Sequence, residues 1–447
     1  MGYVVGKKYG FTGHGAVEIA ASIEQAIGQG VLAPGTTLPP HRELAADLAV
    51  NPNTVAAAYR RLRDRGVIET GGRRGSWVRP RPATTVRDAL LPHMPPGVRD
   101  VSTGNPDTAL LPALGPALAS AAALHATQPA LYGQAPLNRE LEQLARDSFD
   151  MDGVPEGPVG LTSGALDAIE RALVAHLRPG DTVAVEDPGW ASLFDLLPGL
   201  GLQPTPVPVD DEGPVPHHVE AALRQGAQAL IVTNRGQNPT GAALSTTRAD
   251  ELRAVLSDYP KTLVVEDDHA FGLSELPLHT LGGSTRHWIV VRSTAKAYGP
   301  DLRLAALTGD PVTVDRIGGR HRLGPGWISH LLQNTVTHLW RTQSLDTRAV
   351  SASYAARRDG LVQMLADRGV LAHGRSGINV WIPVLDETAT VTRLLQSGWA
   401  VAPGARFRLR CAPGVRVTIS PLSLQDLPGL ADAITEAVRP QHIVRYG

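Results

Sequence analysis

VVRSTAKAYGPDLRLAAL, residues Val290–Leu307, opens as the apolar run of a buried strand and then presents a lysine, Lys296. The chain of 447 residues carries 42 Lys+Arg, yet only Lys7, Lys8, Lys261 and Lys296 are lysines. Elsewhere it uses arginine for positive charge. A guanidinium stays protonated and cannot readily form a Schiff base, whereas a deprotonated lysine can. Lys296, just past a strand, is therefore read as a group that bonds covalently to an aldehyde.

The surroundings of that strand decide the fold. From residue 101, apolar β-rich runs alternate with helical patterns, which predicts an α/β domain with a mostly parallel central sheet. Ligands of such sheets collect at the carboxyl ends of strands. After PVGLT come Ser163, Gly164 and Ala165, opening a helix whose free N–H groups suit an anion. DTVAVEDPGW ends in Trp190, and ALIVTNRGQNPTG holds Asn238 in a Pro/Gly turn. KTLVVEDDHAFGL ends in Glu266, Asp267, Asp268 and His269, three carboxylates that repel unless cations join them. Ser293 and Arg303 flank Lys296. Taken singly, these are also an ordinary N-cap, a core aromatic, a plain turn and surface ion pairs. Taken together they fit pyridoxal 5'-phosphate. Its ring nitrogen needs a carboxylate, its phosphate needs N–H groups and an arginine, and its flat ring needs a stacking partner.

The N-terminal part has another pattern. Residues 1–82 hold 11 Lys+Arg and 6 Asp+Glu, a net +5 on a chain of net −1, which suggests a polyanionic partner. Ile19, Ile23 and Ile27 recur at helical spacing, with Gly30 as a stop. A second short helix is predicted from about His41, with Leu44, Ala45 and Leu48 as its apolar face. In NPNTVAAAYRRLRDRG, Asn51 suits the N-cap and Pro52 the first helical position. Val55, Tyr59 and Leu62 form the buried stripe, and Gly66 closes the helix. This is a helix-turn-helix whose second helix can enter the major groove of double-stranded DNA. It leaves Asn53, Ala57, Arg60, Arg61 and Asp64 outward; Asn53 suits adenine, while Arg60 and Arg61 suit phosphates. VIETGGRRGSWV reads as a two-stranded wing with Arg73 and Arg74 at its tip. The segment Arg79–Asp100 contains Pro80, Pro82, Pro92, Pro95 and Pro96 and reads as a stiff tether of up to about 60 Å. The expected divisions are 1–78, 79–100 and 101–447.

Composition narrows the classes. A single cysteine, Cys411, excludes an intrachain disulfide and a thiolate metal cluster. No window approaches the roughly 18 unbroken apolar residues of a membrane span, and no signal peptide is evident, so a cytoplasmic, soluble protein is expected.

Leu38–Val78 resembles the winged helix-turn-helix of GntR regulators. The matching pieces are Arg42-Glu43-Leu44-Ala45, Asn53-Thr54-Val55, Leu62, Gly66 and the Arg74-Gly75 wing tip. Many members carry Ser-Arg before Asn-Thr-Val, where this chain has Asn51-Pro52. From about Val101 onward, the order of the strand-end motifs resembles the fold-type I aminotransferases. That implies a PLP-dependent transferase domain with a smaller C-terminal α+β subdomain. It also implies roles: Lys296 as the Schiff-base lysine, Asp267 at the pyridinium nitrogen, Asn238 at the ring hydroxyl and Trp190 on the ring. Gly164, Ala165, Ser293 and Arg303 would hold the phosphate. Tyr132 would reach the neighbouring subunit's phosphate, implying a homodimer, and Arg416 in PGVRVTIS would grip an effector carboxylate. His269 stands where relatives carry a tyrosine that bonds the ring oxygen, and Leu137 where a glycine is usual.

The combined layout resembles the MocR subfamily of GntR regulators, whose body senses the cofactor and whose dimer exchanges DNA-binding heads, subunit to subunit, head to tail. The expected function is a DNA-binding transcriptional regulator that senses pyridoxal phosphate or its amino-acid adduct, and so controls vitamin B6 or amino-acid metabolism. The alternatives are a working aminotransferase with an accessory DNA-binding head, and a constitutive DNA-binding dimer whose body is only structural.

Overall fold

The computed structural model describes residues 10–28, 31–32, 35–64, 67–71, 75–78 and 95–439. They fall into an N-terminal unit and a larger body.

In the N-terminal unit the isoleucine spacing works as expected: Ile19 and Ile23 are buried on helix α1 (Ala16–Gly28). Strand β1 (Thr37–Leu38) leads into α2 (His41–Leu48), which buries Leu44, Ala45 and Leu48. Ala49, at φ 55, makes the left-handed turn that ends it. Helix α3 (Pro52–Asp64) follows. Asn51 accepts the Asn53 N–H through Oδ1 at 2.8 Å, so it is the N-cap. Val55, Tyr59 and Leu62 face the core, and the Tyr59 hydroxyl donates to the Pro39 carbonyl at 2.8 Å. Strands β2 (Ile68–Thr70) and β3 (Ser76–Val78) pair antiparallel, and β1 adds to β3. Three helices and a wing thus enclose one small apolar core. Gly66, Arg73 and Arg74 lie outside the described residues.

The body opens with β4 (Arg99–Asp100), which pairs parallel with a strand three hundred residues later. Arg99 and Asp100, placed at the end of the expected tether, are thus paired within the body, and residues 79–94 of that segment lie outside the described residues. Eight strands form the main sheet: β5 (Val159–Thr162), β6 (Thr182–Asp187), β7 (Gln203–Asp210), β8 (Gly213–Pro214), β9 (Ala227–Thr233), β10 (Leu263–Asp268), β11 (His287–Ser293) and β12 (Ala305–Gly309). Their order is β5-β12-β11-β10-β9-β6-β7-β8. β9, β10 and β11 run parallel, and β12 runs against both β11 and β5. The apolar runs of β9, β10 and β11 are buried almost throughout, as strands covered on both faces must be. β13 (Asn379–Pro383), β14 (Trp399–Ala400), β15 (Ala402–Pro403) and β16 (Gly414–Thr418) follow. β13, β16 and β15 make a small antiparallel sheet, and β14 is the partner of β4. No helix among the described residues is long and apolar enough to cross a membrane.

Candidate functional site

The register of the parallel strands gathers the site. Asp267 on β10 lies beside Val291 of β11 and Thr233 of β9, so the carboxyl ends of three strands open together. A cavity of about 350 Å3 lies there, and Thr103, Gly104, Trp190, Asn238, Lys296 and Arg416 are among its lining residues. Ala165, Asp267, His269, Ser293 and Arg303 line it too. Gly164 meets Arg303 directly, and the helix Ala165–His176 starts at the cavity wall.

Pleating separates the three adjacent carboxylates, because successive side chains of a strand point to opposite faces. Asp268 turns away to Arg235 at 2.8 Å and Arg292 at 2.9 Å. Glu266 accepts from Asn234, from the Thr280 hydroxyl at 2.8 Å and from the Leu281 N–H at 2.9 Å. Burial pushes Glu266 up to about 6, against those hydrogen bonds. Only Asp267 lines the cavity, so the expected repulsion among all three is met by separate partners rather than by one cation.

Asp267 Oδ2 faces His269 Nδ1 at 2.9 Å, and His269 Nε2 faces the Gly236 carbonyl at 3.0 Å. Both imidazole nitrogens are therefore taken by protein acceptors. His269 lines the cavity as well, where it stands in the place of the relatives' tyrosine. Burial opposes charge on His269, but the Asp267 carboxylate outweighs it and raises the imidazole above its ordinary value. Asp267 Oδ1 is buried with no hydrogen-bond partner among the described residues. Buried carboxylate oxygens are normally satisfied, so this one is suited to a cationic donor entering the cavity.

The other end suits a phosphate. Gly164 has φ +94, and a Cβ there would stand 2.8 Å from Arg303 Nη2. Arg303 donates to the Ser163 carbonyl at 2.8 Å, which holds its guanidinium against the start of the helix. Ser293 is buried, and its Oγ accepts the Ala295 N–H at 3.2 Å. An anion-binding cradle, a lysine and an orphaned carboxylate oxygen together fit pyridoxal phosphate.

Lys296 Nζ donates to the Gly104 carbonyl at 2.5 Å. Arg416, on β16, is only 4% exposed. Its Nη1 donates to Asn238 Oδ1 at 2.9 Å, its Nη2 to the Ser102 carbonyl, and its guanidinium lies 4.5 Å over the Phe407 ring. Tyr132 is 92% exposed, packs edge-on to Trp327 and is absent from the cavity of its own chain. On the N-terminal unit, Arg42, Asn53, Arg60 and Arg61 are exposed and Thr54 is half-buried. Gly75, at φ +80, immediately precedes the strand β3.

Sequence reasoning missed Glu186 and Gln237. Glu186 is buried on β6 beside Asp267, and accepts from the Thr233 backbone and hydroxyl and from Gln237. Burial pushes it up to about 7, partly offset by those bonds. It also missed Asp187, which accepts the N–H groups of Leu409, Arg410 and Cys411. These partners are more than forty residues away in sequence, so no local spacing announces them.

Comparison with known proteins places both parts. The model "Aminotransferase class I and II" matches residues 97–434, and "Bacterial regulatory proteins, gntR family" matches residues 16–78. A Salmonella typhimurium protein named "Vitamin B6 salvage pathway transcriptional repressor PtsJ" is 40% identical over 432 residues, covering 95% of this chain and 99% of its own. The Corynebacterium glutamicum "HTH-type pyridoxine biosynthesis transcriptional regulator PdxR" is 30% identical over 258 residues, 56% of this chain and 55% of its own. Aspartate aminotransferase from Thermus thermophilus with maleate shares the fold at TM-score 0.66 and 23% identity, covering 76% of this chain and 91% of its own. A multiple substrate aminotransferase from Thermococcus profundus does so at TM-score 0.70 and 18% identity, covering 78% and 96%. The chain thus belongs to the aminotransferase class I and II family in its body and to the gntR family at its N-terminus, the architecture of the MocR regulators.

Proposed function

We propose that this protein is a DNA-binding transcriptional regulator whose body binds pyridoxal phosphate through Lys296. The observation that carries the reading is the buried, unpartnered Oδ1 of Asp267 in the wall of the cavity that Lys296 also lines. The name of the 40% identical relative supports repression within vitamin B6 metabolism as the output.

Pyridoxal phosphate, when bound, supplies an aldehyde that captures amines and a ring that draws electrons from them. The rest falls to side chains of this chain. Asp267 Oδ1 would accept a hydrogen bond from the protonated ring nitrogen, with Oδ2 held by His269. Trp190 covers the ring, and Asn238 serves its hydroxyl. Gly164, Ala165, Ser293 and Arg303 take the phosphate. Arg416 receives the carboxylate of an amino compound, so the signal is the cofactor or its amino-acid adduct. Tyr132, exposed and remote from its own cavity, completes the phosphate site of a second subunit in a cytoplasmic homodimer, head to tail with exchanged DNA-binding heads. Asn53 and Thr54 read bases; Arg42, Arg60, Arg61, Arg73, Arg74 and Gly75 follow the DNA backbone. A ligand switches such a protein only if it binds one DNA-affinity state better than the other.

A gel-shift titration on DNA upstream of the protein's own gene, with and without pyridoxal phosphate, tests this. A change in affinity or band pattern supports the sensor; indifference to both the cofactor and amino acids overturns it. The cavity position of Arg416 also favours a second reading, a working aminotransferase with an accessory DNA-binding unit. Rapid conversion of amino and keto acid pairs, with no effect on DNA, would select it.

A further inference from the structure

Just after the segment that leads in from the DNA-binding unit, the backbone meets two of the cations of the cavity, Lys296 and Arg416. In sequence, residues 79–100 lie between the winged helix-turn-helix and the aminotransferase-like body. Arg99 and Asp100 form β4, held by Arg99 N–H to the Gly398 carbonyl at 2.9 Å and by an Arg99–Asp426 ion pair at 2.5 Å. Val101 then donates to Ala400 at 2.9 Å and accepts from Thr418 at 2.8 Å. Past that point the backbone turns over the cavity. The Ser102 carbonyl accepts from Arg416 Nη2, and the Gly104 carbonyl accepts from Lys296 Nζ. Gly104 has φ +70 and lies flat on Arg416: a Cβ there would be 3.2 Å from Nη2. Its N–H donates to Thr418 Oγ1 at 3.1 Å.

We propose that Ser102–Gly104 is a ligand-released latch: its two peptide carbonyls occupy the cations that the cofactor and an effector carboxylate need. The proposal rests on the reading of Lys296 and Arg416 given above. When a lysine bonds an aldehyde, its deprotonated nitrogen adds to the carbonyl carbon and the carbonyl oxygen leaves as water. The nitrogen then keeps at most one hydrogen, against three in the ammonium form, and is anchored to the new carbon. The Gly104 carbonyl loses its donor. A carboxylate at Arg416 competes in the same way for Nη2, and a charged acceptor outbids a neutral carbonyl. The segment then keeps the short β4 ladder, the Arg99–Asp426 ion pair, the Val101 bonds, the Gly104–Thr418 bond, the bonds from Ser102 to Asp100 and the bond from the Ser420 hydroxyl to the Asn105 carbonyl, but loses its two ties to the cavity cations. Occupancy of the cavity is thereby transmitted to the peptide that continues towards the DNA-binding unit. The aldehyde addresses the Lys296 point and a carboxylate the Arg416 point; an amine that takes over the aldehyde returns Lys296 to its free form, so the two points answer to different groups.

Hydrogen–deuterium exchange of the full chain, read at peptides covering residues 99–106, tests the latch. Absorbance of the same samples reports covalent capture of pyridoxal phosphate. Exchange at Ser102–Asn105 should rise several-fold with pyridoxal phosphate, and further when a dicarboxylate without an amine, such as maleate, is added. A captured cofactor with unchanged or slower exchange there overturns the latch and leaves the cofactor reading standing. No capture at all overturns both. Lys296→Ala should raise exchange of this segment with no cofactor present, while peptides of β9 to β11 stay protected as the control for folding. Lys296→Arg keeps a donor for Gly104 but cannot form the covalent bond, so the segment should stay protected and indifferent to cofactor. Equal protection in Lys296→Ala and the parent chain would also overturn the proposal.

Discussion

His269 stands between two acceptors, Asp267 Oδ2 at 2.9 Å and the Gly236 carbonyl at 3.0 Å. A carbonyl oxygen only accepts, so Nε2 donates to Gly236, and the Asp267 carboxyl beside Nδ1 raises the imidazole above its ordinary value, favouring the form in which both ring nitrogens donate. The pair ties the carboxylate of the cavity to the loop that carries Asn238, and Asn238 in turn touches Arg416.

The charge on His269 gives a pH dependence. Its folded-state value lies above the ordinary value of 6.5, so its contribution is fully present below about pH 6.5 and is lost as pH rises through the folded value. Asp267, Asp268 and Lys296 face it and set the balance. Glu186, at about 7, and Glu266, at about 6, are also raised and lose stability with rising pH over an overlapping range. The informative quantity is therefore the difference between the parent chain and His269→Gln in urea unfolding. That difference should shrink from pH 6 towards pH 9; a constant gap would mean a neutral imidazole.

Asp267→Asn should weaken binding of pyridoxal phosphate. The lost bond to a charged donor is worth about 1.5–3 kcal/mol, so roughly ten- to a hundredfold in affinity. An absorbance titration checks it. DNA binding without cofactor should be unaffected in the same protein.

Gly164→Ala places a Cβ against the Arg303 guanidinium in a backbone conformation that side chains rarely adopt. Binding of pyridoxal phosphate should fall, while binding of the unphosphorylated aldehyde should change little. Competition between the two aldehydes measures the ratio. Equal loss for both would place the phosphate elsewhere.

Arg416→Ala should impair the response of DNA binding to amino acids far more than its response to pyridoxal phosphate alone. Gel shifts with each ligand separate the two effects. Equal loss would make Arg416 a structural residue that ties Ser102 and Asn238 together.

On the N-terminal unit, Asn53→Ala should relax sequence preference at one base pair, costing about 1–3 kcal/mol there. Arg60→Ala with Arg61→Ala should weaken binding to every sequence and lower the salt slope by about 2. Fluorescence anisotropy across salt concentrations distinguishes the two patterns.

Much of this protein is decided locally. The isoleucine spacing of α1, the Asn51-Pro52 start of α3 and the apolar runs of β9, β10 and β11 are properties of short windows, where backbone geometry fixes which side chains share a face. The lysine after β11 and the small residues before the helix Ala165–His176 are legible for the same reason: strand ends and helix starts expose chemistry at known places. What the windows do not contain is partnership at a distance. The strand order β5-β12-β11-β10-β9-β6-β7-β8 sets which loops meet at the cavity. Three neighbouring carboxylates read as one cluster in sequence, but pleating sends Asp268 to Arg235 and Arg292 and leaves Asp267 alone at the cavity. His269 reads as a substitute for a tyrosine, but its bonds are set by Gly236 from another strand end. The last residues of the expected tether read as spacer, yet Arg99 and Asp100 pair with β14, and the chain just after them meets Arg416 and Lys296 at Ser102 and Gly104. Spacing along the chain determines conformation over a few residues; charge and hydrogen-bond partners hundreds of residues apart are matched only when the sheet closes.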